Sequence, residues 1–166
     1  MAKLAGAHME VNPQKRGAAG HQTPRLAIIL IALLALIQVP RLAAFQLAQV
    51  VFAGHESAAW LYPAFADIFI GITAPFVAFA IWRTTGLAVW VAALVWFTVS
   101  IFDIFDAMTT ALNMAVPFPH GLPFGSRSTF LTYLLVSAVF EGMAIAWLTR
   151  AKMRSHYFGS LGPGSQ

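Results

Sequence analysis

Four long apolar runs dominate the chain, at about 26–53, 61–82, 87–113 and 129–149. A helix rises about 1.5 Å per residue, so about 20 apolar residues cross a hydrocarbon core about 30 Å thick. The second and fourth runs fit that length directly. The first and third are longer and must tilt, kink or protrude. Pro40 falls inside the first and predicts a kink there. The alternative is a first span ending near Pro40, with 42–53 as an interfacial helix.

Composition agrees with lipid as the solvent. Of 166 residues, 59% are hydrophobic and only 10% charged. Soluble domains carry roughly 25% charged residues. The chain has no cysteine, which excludes disulfides, thiolate metal sites and cysteine nucleophiles. The predicted fold class is all-α: a polytopic bundle of four transmembrane helices.

Short connections separate the runs. They are Gly54-His55-Glu56-Ser57, Arg83-Thr84-Thr85-Gly86, and a stretch from Val116 to Gly125 with three prolines and two glycines. Residues 1–24 and 151–166 read as flexible tails around a transmembrane domain at 25–150. The His8-Met9 junction leaves open a tag over residues 1–8, with Met9 as the native start. No secretory signal is predicted, because the first apolar run starts only at Leu26 and continues too far.

The net charge of +4 does not point to nucleic acid, because the basic residues sit beside the apolar runs. Lys3, Lys15, Arg16, Arg25, Arg83, Arg150, Lys152 and Arg154 make eight of the ten, all on one side of a four-span protein; Arg127 stands on the other. The positive-inside rule then places both termini in the cytoplasm of a multi-pass inner-membrane protein. Trp60, Tyr62, Trp82 and Trp147 lie at run ends and suit interfacial belts.

Five ionisable residues fall within the runs: Arg41, Asp67, Asp103, Asp106 and Glu141. Each costs on the order of 2.5–3.5 kcal/mol at mid-bilayer, so they are expected to face the bundle interior or a wet cavity. Helical spacing sorts them onto faces. Trp96, Ser100, Asp103, Asp106, Thr110 and Asn113 share one face, and Tyr133, Ser137 and Glu141 align. So do Gln38, Arg41, Phe45 and Gln49, and Asp67, Gly71, Ala74 and Ala78. Gly142 centres an Ala138–Ala146 stripe of small residues and predicts a close helix contact.

Depth from the outer helix ends puts Asp67 and Asp106 roughly 10 Å in, Asp103 near about 15 Å and Arg41 at roughly 10–20 Å. Glu141 lies at about 18 Å, deeper and alone. The predicted site is an acid-lined cavity of Arg41, Asp67, Asp103, Asp106, Tyr133, Ser137 and Glu141. Four acids against one Arg raise one another's affinity for protons or call for a cation. The plainer alternative is one Arg–Asp bridge that fixes packing, with the other acids neutral.

The predicted function is binding or translocation of a cation, a proton-coupled solute or a cationic small molecule. A non-catalytic accessory subunit of a membrane complex is the alternative, and an intramembrane enzyme is third. For the enzyme, Asp67 with Asp103 is the better dyad. No nucleophile motif, phosphate loop or HExxH appears. His55 and His120, in the two outer loops, are weak metal candidates, and no cofactor is indicated. The expected partners are the lipid bilayer and a second copy or a membrane complex.

The run Ala66-Asp67-Ile68-Phe69-Ile70-Gly71-Ile72-Thr73-Ala74-Pro75 is distinctive, as is Trp96 followed by Asp103 and Ala107. With Thr129-Phe130-Leu131, they resemble a group of small bacterial four-helix integral membrane proteins. The resemblance covers about residues 60–135 and implies the fold but no activity. The Asn- and Asp-bearing pattern of lipoprotein signal peptidases is absent, and the first-helix Glu of small multidrug exporters is not matched.

Overall fold

The computed structural model describes residues 25–113 and 124–159. The described residues are helical, with no strand. Helix α1 spans Arg25–Leu36, α2 Ala44–Phe52, α3 Leu61–Arg83, α4 Leu87–Asn113, α5 Arg127–Leu148 and α6 Ala151–Phe158. Counting α1 with α2 as one segment, four helices are long and apolar enough to cross a membrane. The proposed tag and His120 lie outside the described residues.

Pro40 breaks the first segment as expected. Its ring excludes the carbonyl four residues back, and it has no N–H to donate. The chain answers with a tight 3-10 stretch over Val39–Ala43, entered through the bonds Gln38 N to Ala35 O (3.1 Å) and Arg41 N to Gln38 O (3.0 Å). A 3-10 residue turns about 120°, against about 100° in an α-helix, so the stretch adds a twist of roughly 100°. That twist corrects the predicted face. Gln38 and Arg41 are buried, but Phe45 and Gln49 turn outward, and Ala44, Leu47, Ala48 and Val51 take the inner face of α2.

Two apolar clusters fill the bundle. One joins Ile31 and Ala35 of α1, Ile70 and Ala74 of α3, Phe97 of α4, and Ala144 and Leu148 of α5. The other joins Leu47 of α2, Ala64 of α3, Ile104 and Ala107 of α4, and Phe130 and Leu134 of α5. In the segments of α1–α2, α4 and α5, the buried polar residues fall between these two sets: Gln38 and Arg41, Ser100 and Asp103, Ser137 and Glu141. A polar layer thus divides an otherwise apolar core.

The close helix contact lies at Gly71, not at Gly142. A Cβ on Gly71 would meet the Leu42 side chain at 3.0 Å and its backbone N at 3.1 Å, whereas one on Gly142 meets nothing within 4 Å. Of the predicted small stripe of α5, Ala138 packs partly against the second cluster, Gly142 is half-buried and Ala146 is exposed, so the stripe is not a close helix contact. Gly71 lets the 3-10 stretch lie directly on α3, one turn from Asp67. Gly71→Ala should therefore cost about 1–3 kcal/mol, since the backbone of residue 42 has to retreat. Gly142→Ala, which meets open space inside a helix, should hold or raise thermal stability in detergent, by up to about 1 kcal/mol. Equal melting of the two variants would contradict this packing.

Two further expectations are corrected. Trp60 is 1% exposed and stacks edge-on with Phe130, ring centroids 6.0 Å apart, so it belongs to the core and not to a belt. Tyr62 and Trp82 are exposed, and Trp147 is half-buried against the first cluster. Residues 151–158, read as part of a tail, form α6. Met153 and Tyr157 stand four apart on one face and both are buried.

The Tyr157 hydroxyl donates to Ile81 O at 3.2 Å, satisfying a carbonyl in the last turn of α3. Burial pushes this phenol up from 10.0 to about 12. A raised phenol is bound more tightly to its proton when folded. The resulting stability is present below the unfolded value and is lost as pH rises from 10.0 toward about 12. Alkaline titration should release α6 in that window, seen as amide exchange over residues 151–158. In Tyr157→Phe the pH-dependent step should vanish; an unchanged step would assign it to another group.

Candidate functional site

Arg41 sits at the centre of the polar layer. Its side chain is 5% exposed, and its guanidinium bonds to one carboxyl group from each of the other three long helices. Nη1 donates to Asp67 Oδ1 of α3 at 2.8 Å and to Asp103 Oδ2 of α4 at 2.6 Å. Nη2 donates to Glu141 Oε1 of α5 at 2.8 Å. Nε donates to Gln38 Oε1 at 2.8 Å, within its own segment. Ser100 Oγ donates to the same Glu141 oxygen at 2.6 Å.

The local sequence explains this geometry. The 3-10 twist turns Arg41 inward, and Gly71 brings α3 close enough for Asp67 to reach it. On α4, Ser100 and Asp103 are three apart and share a face, so Ser100 meets Glu141 while Asp103 meets Arg41.

Sequence depth separated Glu141 from the rest, and the structure corrects this. Arginine, glutamate and aspartate side chains each reach away from their backbones, so carboxyl groups rooted at different depths converge on the two neighbouring nitrogens of one guanidinium. Asp106, expected in the cluster, is partly exposed one turn away and is not among Arg41's acceptors. Ser137 is buried one turn from Glu141. His55 is exposed in its loop. Among the described residues, no three His or acidic side chains converge as a metal ion requires.

Gln38 and Ser100 were visible on polar faces but were not assigned to the site. The signal for both was spacing: each lies three residues before a charged residue on the same helical face.

A cavity of about 300 Å³ reaches the cluster from one side. Trp60, Phe124, Phe130 and Tyr133 supply an aromatic wall, Leu47 adds an aliphatic one, and Arg41 and Asp67 form the charged end. Asp103, Asp106, Ser137 and Glu141 do not line it. The cavity is therefore largely apolar rather than acid-lined. Asp67 joins it to the cluster: its side chain is 28% exposed, against 3% for Asp103 and 0% for Glu141.

The charges do not balance. Three carboxyl groups surround one guanidinium, so full ionisation leaves two negative charges uncompensated. Asp103 Oδ1 and Glu141 Oε2 are buried without a hydrogen-bond partner. Such a group in low dielectric is costly, and bound protons or an entering cation relieve that cost. Asp67 and Asp103, the pair named from the sequence as the better dyad, do come together: both accept from one guanidinium nitrogen, and their carboxyl groups are within hydrogen-bond reach of each other.

The class defined by fold and site is a four-segment helical bundle closed round a buried arginine–carboxyl cluster. No family model, curated protein or solved structure matches the chain.

Proposed function

We propose that this chain is a multi-pass protein of a bacterial inner membrane that binds or moves a cationic small molecule in exchange for a proton. Asp67 is the exchanging group. The observation carrying this reading is the double membership of Asp67. It belongs to a cluster with surplus carboxyl groups, and it also forms the charged end of an apolar, aromatic cavity.

The cavity, at about 300 Å³, falls at the lower end of the range for small-molecule sites, about 300–1,000 Å³. Aromatic faces favour cations as well as apolar rings. A cation with a small aromatic body therefore suits it better than a bare metal ion. The positive charge of Arg41 is offset by the three acids around it.

A second reading has its own support. One residue tying together all four long segments is what a purely structural lock needs. In that case the chain is an accessory subunit and the cavity takes no ligand.

Phenethylammonium binding to the protein in nanodiscs separates the two. Wild type should bind it more tightly as pH rises, because cation and proton compete for Asp67. Asp67→Asn should bind at least about tenfold more weakly, the equivalent of losing roughly 1.4 kcal/mol. No binding by folded wild type, or equal binding by both, would leave the lock as the better reading.

Both termini are placed in the cytoplasm because of the basic bias of their flanks. The chain has no cysteine, so single replacements report cleanly. His55→Cys should react with an impermeant thiol reagent from outside intact cells and Thr84→Cys should not. Reversed labelling would invert the orientation.

A further inference from the structure

We propose that the groove between α1 and α3, at the end bearing Arg25 and Arg83, holds one anionic phospholipid. The inference rests on the membrane reading above but not on the cation exchange.

Two cavities meet there. One, of about 420 Å³, is an apolar slot running along Leu33 and Leu36 of α1 and along Pro75 and Phe79 of α3. The other, of about 370 Å³, is lined by Arg25, Arg83, Thr84, Thr85 and His156. Ile29 and Trp82 belong to both, so the slot opens directly into the polar chamber. An apolar trough leading into a basic chamber matches a molecule with an acyl chain and a phosphate.

The charge distribution selects an anion. Arg25, Arg83, Arg150, Lys152, Arg154 and His156 all stand at this end. The acids among the described residues are elsewhere: three bond to Arg41, Asp106 lies one turn beyond Asp103, and Glu56 sits in the opposite loop. Among the described residues, no carboxylate pairs with Arg25 or Arg83.

Arg83 is also positioned. Its guanidinium carbon lies 4.6 Å from the centroid of the Trp82 ring, which walls both cavities. That holds the cation where slot becomes chamber. The carbonyls that end α3 would repel an anion, but two of them are occupied. Thr84 N and its hydroxyl donate to Ala80 O, and Tyr157 donates to Ile81 O. Basic pockets beside membrane helices bind anionic headgroups by this chemistry.

The test is native mass spectrometry of the full chain released from mixed micelles. Phosphatidylglycerol and phosphatidylcholine with the same acyl chains are offered in equal amounts. Wild type should retain one phosphatidylglycerol, preferred by about tenfold or more. The exposed pair R25Q/R83Q should retain both lipids equally. Inorganic phosphate at the same concentration should not displace the lipid, because it lacks the chain that fills the slot. Equal retention by wild type, or an undiminished preference in R25Q/R83Q, would overturn the proposal. So would displacement by phosphate alone, which would mark a simple anion site. Each readout is independent of phenethylammonium binding, so the two proposals fail separately.

Discussion

Arg41→Leu should destabilise the bundle by about 3–5 kcal/mol, the usual cost of removing one partner from a buried ion cluster. The reason is stoichiometric. One guanidinium holds acceptors from α3, α4 and α5 at 2.6–2.8 Å, and its loss strands three carboxyl groups at once. Asp103 and Glu141 are the most deeply buried of these. They would have to take up protons or draw in water. Denaturant unfolding in detergent at neutral pH measures the loss. The deficit should shrink at low pH, where protonation no longer opposes burial. A variant as stable as wild type at neutral pH would mean that the cluster contributes nothing to folding.

The quadruple variant Arg41→Met, Asp67→Leu, Asp103→Leu, Glu141→Leu should recover most of that loss. Replacing a whole buried ion cluster with apolar groups of similar volume is commonly neutral, or stabilising by about 1–4 kcal/mol. The layers on either side are already apolar. Phenethylammonium binding should nevertheless disappear, because Asp67 is gone. A stable but non-binding variant separates what the cluster does for the fold from what it does for the ligand. If the variant is no more stable than Arg41→Leu, the pocket left by the cluster does not accept aliphatic packing.

Much of this site could be read from helical period alone. Arg41, Asp67, Asp103 and Glu141 fall on the inner faces of their helices, and a three- or four-residue spacing is enough to say so. Three features were not accessible that way. The twist in Val39–Ala43 depends on how the chain absorbs Pro40, so Phe45 and Gln49 were placed on the wrong face. Depth counted along helix axes ignores side-chain reach, so Glu141 was separated from an arginine that spans the gap. Small residues mark close contacts only when a partner lies opposite. Gly71 has Leu42 there and Gly142 has nothing. The same limit applies to α6: Met153 and Tyr157 bury because the last turn of α3, the start of α4 and the end of α5 lie beside them, a fact of tertiary structure that an eight-residue stretch does not carry.

The aromatic cavity had a similar origin. Trp60 read as a membrane-interface residue because it lies at a helix end. It turns inward because Phe130 of α5 offers an edge-to-face partner, and together they wall the space above Asp67. Aromatic residues at the ends of apolar helices therefore have two destinations, and the partner helix decides between them.

Proton release during cation binding tests the exchange at Asp67 most directly. Protein in weakly buffered detergent with a pH-indicator dye is mixed with phenethylammonium chloride. The expected result is acidification that saturates with binding in wild type and is absent in Asp67→Asn. Binding without any release of protons, or the same release from Asp67→Asn, would contradict it.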